Sequence, residues 1–316
     1  MSAPVEPTEV LLGPAAGREP VAGVEAGAEP VTARKKKLGV GAWLSIIWLG
    51  LVVFVSVFAP LLPLDDPLET VGAIARQGPG AEGHILGGDA IGRDMVSRTV
   101  HGARASMLVG SASVAIGLLI GGLAGLLAGY FRGRIDTILT GTFDILLAFP
   151  ALVLALALVS FLRADPESGA KGLTNIQIVI IALGIVSIPL LARITRANTL
   201  TWAQRDFVLA ARAQGAKNSR ILIREVLPNV LPAMFSIALL GIAVAIIAEG
   251  GLSLLGVGVE LPTPSWGNMI AEGRGLLRPA PHIVFIPSIA IFLTVLALNY
   301  MGDTIRTRFD VRESAL

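Results

Sequence analysis

Long apolar stretches alternate with shorter polar connectors over most of the chain. Six of these stretches are each long enough to cross about 30 Å of hydrocarbon as a helix. They occupy residues 39–62, 104–129, 137–162, 176–197, 229–249 and 281–302. The polar residues before them, 1–37, have no hydrophobic period and end in four consecutive basic residues, which is typical of a disordered tail. The pattern predicts an all-α membrane protein with six spanning helices.

Composition agrees with this fold class. Of the 316 residues, 53% are hydrophobic and 15% are charged, and the mean hydropathy is +0.74. A soluble domain carries about a quarter charged residues, so this chain has too few to cover a surface in water. The 36 glycines favour close packing of helices through small residues. With no cysteine, and three histidines at no metal-ligand spacing, the sequence predicts neither disulfides nor a metal site.

Basic residues are distributed unevenly between alternate connectors. One set holds 17 lysines and arginines: the N-terminal tail, 130–136, 193–228 and the C-terminal tail. The other set holds 8: 63–104, 163–175 and 250–280. Positive residues are retained on the cytoplasmic side of a membrane, so both termini are expected in the cytoplasm.

The cores of the predicted spans carry almost no ionisable side chains, and the acidic residues Asp136, Asp144, Glu249 and Asp303 lie near predicted helix ends. Asp144 is the deepest, and we expect it to pair with Arg132 or Arg134 because an unpaired charge in a membrane is costly. Ion-coupled carriers place carboxylates or histidines at mid-membrane, so the pattern disfavours a secondary transporter. Pro150 and Pro189 fall within the third and fourth spans and are expected to kink them.

The connector before the fifth span has the signals of two short helices. Asp206 is a suitable N-cap, and Gly215 is a suitable residue to end the helix that follows it. Asn218 or Ser219 can cap a second helix, which Pro228 is expected to interrupt. The sequence therefore predicts a helix–glycine–helix unit.

This connector resembles the signature loop of binding-protein-dependent ABC importer permeases, in which Glu-Ala-Ala is followed by three residues, Gly and later Leu-Pro. The residues in register with it are Ala210, Ala211, Gly215, Leu227 and Pro228. Leu209 stands in the position of the glutamate, and Glu225 stands where relatives often have histidine. The resemblance implies that the loop at 203–228 is a coupling helix seated in a cleft of a separate ATPase subunit. The contacts it implies are Asp206, Ala210, Ala211, Gly215, Leu227 and Pro228.

Three further segments are similar to the dipeptide and oligopeptide group of that family, and to its C-type subunit: 84–98, 252–267 and 299–310. The resemblance covers roughly 38–311. It implies a type I importer permease in the prokaryotic plasma (inner) membrane, with residues 1–37 as the cytoplasmic tail. Residues 38–103 would form the first helix and an external loop, and 104–316 a core of five helices.

The resemblance also implies the partners: a homologous second permease, two ATP-binding-cassette ATPase subunits or domains, and an extracytoplasmic substrate-binding protein. Di- or oligopeptides are the expected substrates, with nickel, haem or glutathione as alternatives within the same importer class. The chain is expected to bind no cofactor and no nucleic acid, while the ATPase partners use ATP and magnesium.

Enzymatic functions for the chain itself find little support. No Gly-Lys pair occurs, so the chain lacks the phosphate loop of an ATPase. An intramembrane serine protease is the enzyme-class alternative, with Ser253 as the nucleophile. The sequence instead favours Ser253 as a polar residue of an external loop, and His282 lies near the external end of the last span.

Overall fold

The computed structural model describes residues 38–164 and 172–313, and these residues form helices and turns without a β-strand. The disordered tail predicted for 1–37 lies outside the described residues. In chain order the helices are α1 (Val40–Phe58), α2 (Met95–Phe131), α3 (Gly133–Leu147), α4 (Ala151–Ala164), α5 (Asn175–Trp202), α6 (Asp206–Ala213), α7 (Asn218–Ile221), α8 (Leu227–Leu254), α9 (Trp266–Gly273) and α10 (His282–Glu313). A π turn, Leu222–Val226, joins α7 to α8.

Five helical stretches of the described residues are long and apolar enough to cross a membrane: α1, α2, α5, α7 to α8, and α10. The pair α3 and α4 makes a sixth span if counted as one, but it is bent by 88°. The bend lies beside Pro150, which lacks an N–H and whose ring would clash with the carbonyl of residue 146 in a regular helix. The kink predicted there is therefore a complete break. By contrast, α5 continues through Pro189 as one helix.

The second span begins earlier than its apolar stretch. The predicted start is 104, whereas α2 begins at Met95, so the predicted boundary after residue 103 lies inside α2. Asp94 caps the helix, with its Oδ2 accepting a hydrogen bond from the backbone N–H of Ser97 at 2.7 Å. The added turns pack against α9, where the indole of Trp266 donates to the carbonyl of Thr99 at 2.9 Å. Polar residues extend this helix beyond the segment that hydropathy identifies.

Close contact between α2 and α5 depends on glycines spaced four apart on one face of α2: Gly117, Gly121, Gly125 and Gly129. A β-carbon at Gly121 would overlap the carbonyl oxygen of Ile188, and one at Gly125 would overlap that of Ala192. The helix backbones therefore touch, as in small-residue packing between membrane helices. The abundance of glycine predicted close packing, and the structure confirms it for this pair.

The segment between α1 and α2 is joined to α9 by a buried network of charges. Arg93 contacts Asp89 at 2.5 Å and Glu272 at 2.9 Å, while Arg98 contacts Glu272 at 2.6 Å. Burial lowers the pKa of Arg93, but its hydrogen bonds to Glu272 and Asp89 and their charges outweigh that effect and raise it. Two arginines and two carboxylates thus neutralise one another and hold the 59–94 segment against the helices.

The structure corrects the expected position of Ser253. Ser253 belongs to α8 and is buried, not part of a loop, and its hydroxyl donates to Glu249 Oε1 at 2.8 Å. Glu249 is fully buried and also accepts a hydrogen bond from the Ser265 hydroxyl at 2.8 Å. His282, the candidate base, is hydrogen bonded to the carbonyl of Gly88 at 3.0 Å and not to Ser253. Ser253 therefore has no histidine base among the described residues, which removes the basis of the protease alternative.

Candidate functional site

The loop at 203–228 contains a short helix, α6, between the end of α5 and the start of α8. The N-cap of α6 is Arg205, whose extended backbone precedes the first turn and whose carbonyl accepts from Val208 N–H at 3.0 Å. Asp206 was predicted as the N-cap but is the first helical residue, and no side chain caps the helix. Its carboxylate still lies in the first turn, where a negative charge is favourable to the helix dipole.

Gly215 ends α6 as predicted. It has φ of +79° in the left-handed region, and its N–H donates to the carbonyl of Arg212 at 2.9 Å. The N–H of Ala216 donates to the carbonyl of Ala211 at 3.1 Å. These two bonds form a Schellman motif, which satisfies the last carbonyls of the helix. No other atom lies within 4 Å of where a β-carbon at Gly215 would be, so only backbone conformation restricts this position.

The second half of the loop differs from the prediction. The N-cap of α7 is Lys217 rather than Asn218 or Ser219. Pro228 does not interrupt the helix; it lies in the first turn of α8, directly after the π turn, in which Leu227 N–H bonds the carbonyl of Leu222. Proline is tolerated in the first turn of a helix, where its missing N–H costs little.

The loop is held to the helices by a buried apolar cluster. Val208 of α6, Ile221 of α7 and Val226 of the π turn are fully buried and pack with residues of α2 and α8. Tyr130, near the end of α2, donates its hydroxyl to Asn218 Oδ1 at 3.0 Å. It also lies under the guanidinium of Arg212, 5.3 Å from its ring centre. A displacement of α6 is therefore resisted by contacts with both spans.

The predicted contact residues divide into two groups. Ala210 and Pro228 are exposed, as are Asp206 and Gly215. Ala211 and Leu227 are half-buried and pack against the internal cluster instead. The structure therefore brings four of the six to the surface of the loop. Their contact with an ATPase subunit remains a prediction.

Two exposed apolar side chains of α6 were missed as candidates: Phe207, 40% exposed, and Leu209, 51% exposed. They lie about 100° to either side of the buried Val208 around the helix, and Ala210 lies nearly opposite Val208. An open cavity of about 690 Å³ lies beside this surface. Its lining residues are Tyr130, Phe131, Arg132, Ala203, Gln204, Leu209, Arg212 and Asn218. The sequence signal that could have identified Phe207 and Leu209 is the presence of apolar residues at exposed positions of a short amphipathic helix.

Ion pairs hold α3 against α5 close to the loop. Arg196 binds Asp136 through two nitrogens, one of them 2.6 Å from Oδ2. Asp144 was expected to pair with Arg132 or Arg134, but it pairs with Arg193 at 2.6 Å. Arg193 is distant from Asp144 in sequence, and the fold brings it beside α3. An expectation based on nearby residues in the sequence could not identify this partner.

Comparison with known proteins identifies relatives over most of the chain. The dipeptide transport system permease protein DppC of Alkalihalophilus pseudofirmus is 37% identical over 277 residues, which are 88% of this chain and 86% of that protein. The di/tripeptide transport system permease protein DppC of Pseudomonas aeruginosa is 39% identical, over 85% of this chain and 88% of that protein. The glutathione transport system permease protein GsiD of Pectobacterium atrosepticum is 37% identical, over 87% of each.

The fold also has solved counterparts. A chain of the MetNI methionine ABC transporter, in an inward-facing conformation, aligns with a TM-score of 0.55 and 19% identity. The alignment covers 67% of this chain and 97% of that chain. At this identity the likeness is evidence for the fold alone, and it agrees with the predicted all-helical fold.

Residues 121–314 match the protein family described as binding-protein-dependent transport system inner membrane component. The matched region contains the whole 203–228 loop, and the family and its relatives confirm the resemblance found in the sequence. The chain therefore belongs to the family of binding-protein-dependent transport system inner membrane components, as a permease subunit of an ABC importer.

Proposed function

We propose that α6 is the coupling helix of this permease, and that it transmits movement of a separate ATPase subunit to the spanning helices. The observation that carries the proposal is the geometry of the loop. Val208 anchors α6 to α2 and α8, while Phe207, Leu209 and Ala210 are exposed on the rest of its surface. An exposed apolar surface on a rigidly attached helix suits contact with another protein.

Transmission follows from how α6 is fixed. A push on its exposed side would reach α2 and α8 through the buried cluster, because packed side chains resist compression. From α2 it would pass to α5, whose backbone contacts the glycines of α2. Helices coupled this tightly move as rigid bodies, the usual behaviour in hinge and shear transitions.

The assembly we propose contains this chain, a homologous second permease, two ATP-binding-cassette ATPase subunits or domains, and an extracytoplasmic substrate-binding protein. The two permeases would line the translocation path between them. ATP and magnesium would be used by the ATPase partners, and this chain would hold no cofactor. Both termini would lie in the cytoplasm, as the distribution of basic residues suggests.

Short peptides are the substrates we propose. Two of the relatives are named for dipeptide or di/tripeptide transport and a third for glutathione, which is itself a small peptide. Glutathione is therefore the second candidate, and nickel and haem remain within the importer class without a specific supporting observation. The substrate-binding protein would set much of the selectivity.

Ala210 offers the sharpest test of the coupling role, because it is exposed and lies opposite the buried Val208. Ala210→Glu adds bulk and charge to the outer surface without disturbing the internal cluster, whereas Ala211→Glu would disturb both. We expect Ala210→Glu to release the ATPase subunits during copurification and to abolish ATP-driven uptake. Ala210→Ser is the matched control and should retain both. Normal copurification and uptake in Ala210→Glu would contradict the proposal.

A further inference from the structure

A cluster of metal-ligating side chains lies near the start of α2, at the opposite end of that helix from the 203–228 loop. Its members come from separate points of the chain: Asp65 follows α1, His84 lies within the 59–94 segment, and Asp94 caps α2. One ligand atom of each lies within 4.8 Å of the others. His84 Nδ1 is 2.8 Å from Asp94 Oδ1 and 3.8 Å from Asp65 Oδ2.

The two carboxylates face a single imidazole nitrogen. Because Nδ1 carries at most one hydrogen, it can satisfy Asp94 or Asp65 but not both. The Asp65 carboxylate has no other hydrogen bond or ion pair within 38–164 and 172–308. A cation between these atoms would satisfy both carboxylates and the imidazole together.

Charge balance in the same segment supports this conclusion. Asp89 is neutralised by Arg93 and Arg98. The Asp94 side chain is only 9% exposed, yet within the described ranges no lysine or arginine forms an ion pair with it. The N-terminus of α2 compensates part of its charge through Oδ2, which leaves Oδ1 directed at His84. Buried carboxylates are normally paired with a basic group or bound to a metal.

We propose that Asp65, His84 and Asp94 bind a divalent transition-metal ion, with zinc the best match. Zinc takes imidazole nitrogen and carboxylate oxygen at about 2.0–2.2 Å, which puts neighbouring donors roughly 3.3–3.6 Å apart in a tetrahedron. The distances of 2.8 and 3.8 Å from His84 lie on either side of that value, so small side-chain movements suffice. An imidazole ligand disfavours magnesium and calcium.

The proposed site has a path for entry and a structural consequence. The Asp65 side chain is 65% exposed, so an ion can arrive from solvent and keep water as a further ligand. Once bound, it would join the residues after α1 to the first turn of α2. The sequence did not predict this site because its three ligands lie in separate segments and follow no local spacing.

Zinc titration of the full-length chain in lipid nanodiscs tests the proposal directly. The affinity tag must contain no histidine, and the absence of cysteine removes thiolate background. We expect one zinc ion per chain, measured against a competing chelating dye. Asp65→Asn and His84→Gln should each weaken binding by about tenfold or more, since even loss of an indirect partner has an effect of that size. Glu69→Gln, an exposed acid of the same segment, is the control and should bind as wild type does.

Asp65→Asn keeps the proposal testable if His84→Gln impairs folding, because the Asp65 side chain is exposed and its carboxylate has no other ion pair or hydrogen bond within the described part of the chain. Cobalt substitution adds an independent measurement, since its visible spectrum reports coordination by nitrogen and oxygen. Absence of saturable zinc binding, or equal affinity in wild type and Asp65→Asn, would overturn the proposal. Loss of binding in His101→Gln with retention in Asp65→Asn would also overturn it, because the ion would then be bound elsewhere.

Discussion

Replacement of Gly215 tests whether the left-handed end of α6 is required for transport. Gly215 has φ of +79°, and the Schellman bonds of the residues around it depend on that conformation. Gly215→Val places a β-branched residue there, for which left-handed backbone is strained. Gly215→Asn is the matched control, since asparagine also ends helices in this conformation.

The cost of Gly215→Val can be estimated from the structure. Apart from its chain neighbours, no atom lies within 4 Å of the new β-carbon, so the β-carbon itself adds no steric clash. The backbone term alone is about 1–2 kcal/mol. That energy lowers the ratio of molecules in which α6 ends at residue 215 in the left-handed conformation to molecules in which this end is reshaped, by about 5- to 30-fold. Because the substitution lies in an exposed loop, we expect the protein still to insert into the membrane.

Transport and hydrolysis should be measured together in proteoliposomes containing the complete importer. We expect Gly215→Val to lower peptide uptake, by up to about 30-fold, while ATP hydrolysis continues, because the ATPase would no longer move α6 correctly. Gly215→Asn should retain most of the uptake. Equal uptake in wild type, Gly215→Val and Gly215→Asn at equal expression would refute the reasoning.

Three further predictions concern topology, packing and catalysis. The chain has no native cysteine, so a single introduced cysteine can be labelled selectively. Glu69→Cys should react with an impermeant thiol reagent in intact cells, whereas Ser219→Cys should react only after the membrane is opened. The reverse labelling pattern would show that the topology is inverted. Gly125→Leu should destabilise the protein by about 3 kcal/mol or more, seen as a lower melting temperature in detergent, whereas Gly141→Leu, which faces open space, should be neutral. The purified chain alone should not hydrolyse ATP, and turnover by it would contradict its assignment as a permease.

Sequence patterns predicted five of the six apolar spans as continuous helical stretches, because hydropathy records which residues face lipid or neighbouring helices. Sequence patterns also predicted that α6 ends at Gly215, because only a few residue types tolerate the left-handed backbone conformation found there. Hydropathy could not place the start of α2, since the turn from Met95 is stabilised by an Asp94 cap and by contacts with Trp266. Such contacts exist only after distant segments have packed.

The size of the break between α3 and α4 was also beyond sequence reasoning. A proline predicts a distortion, yet Pro150 coincides with an 88° bend while α5 continues through Pro189. The two prolines differ in their surroundings: Pro150 is exposed, whereas Pro189 is buried. In the loop, Ala210 and Ala211 are adjacent in sequence, but one is exposed and the other is packed inside, a distinction that depends on how α6 is rotated.

The source of energy for uptake tests the central claim most directly. Proteoliposomes should contain this chain, its second permease and the ATPase subunits, with the loaded substrate-binding protein added on the opposite face. We predict that a labelled dipeptide accumulates when ATP is hydrolysed, and that neither a non-hydrolysable analogue nor a proton gradient replaces ATP. Accumulation driven by a proton gradient in vesicles that contain this chain without the ATPase subunits would contradict the account.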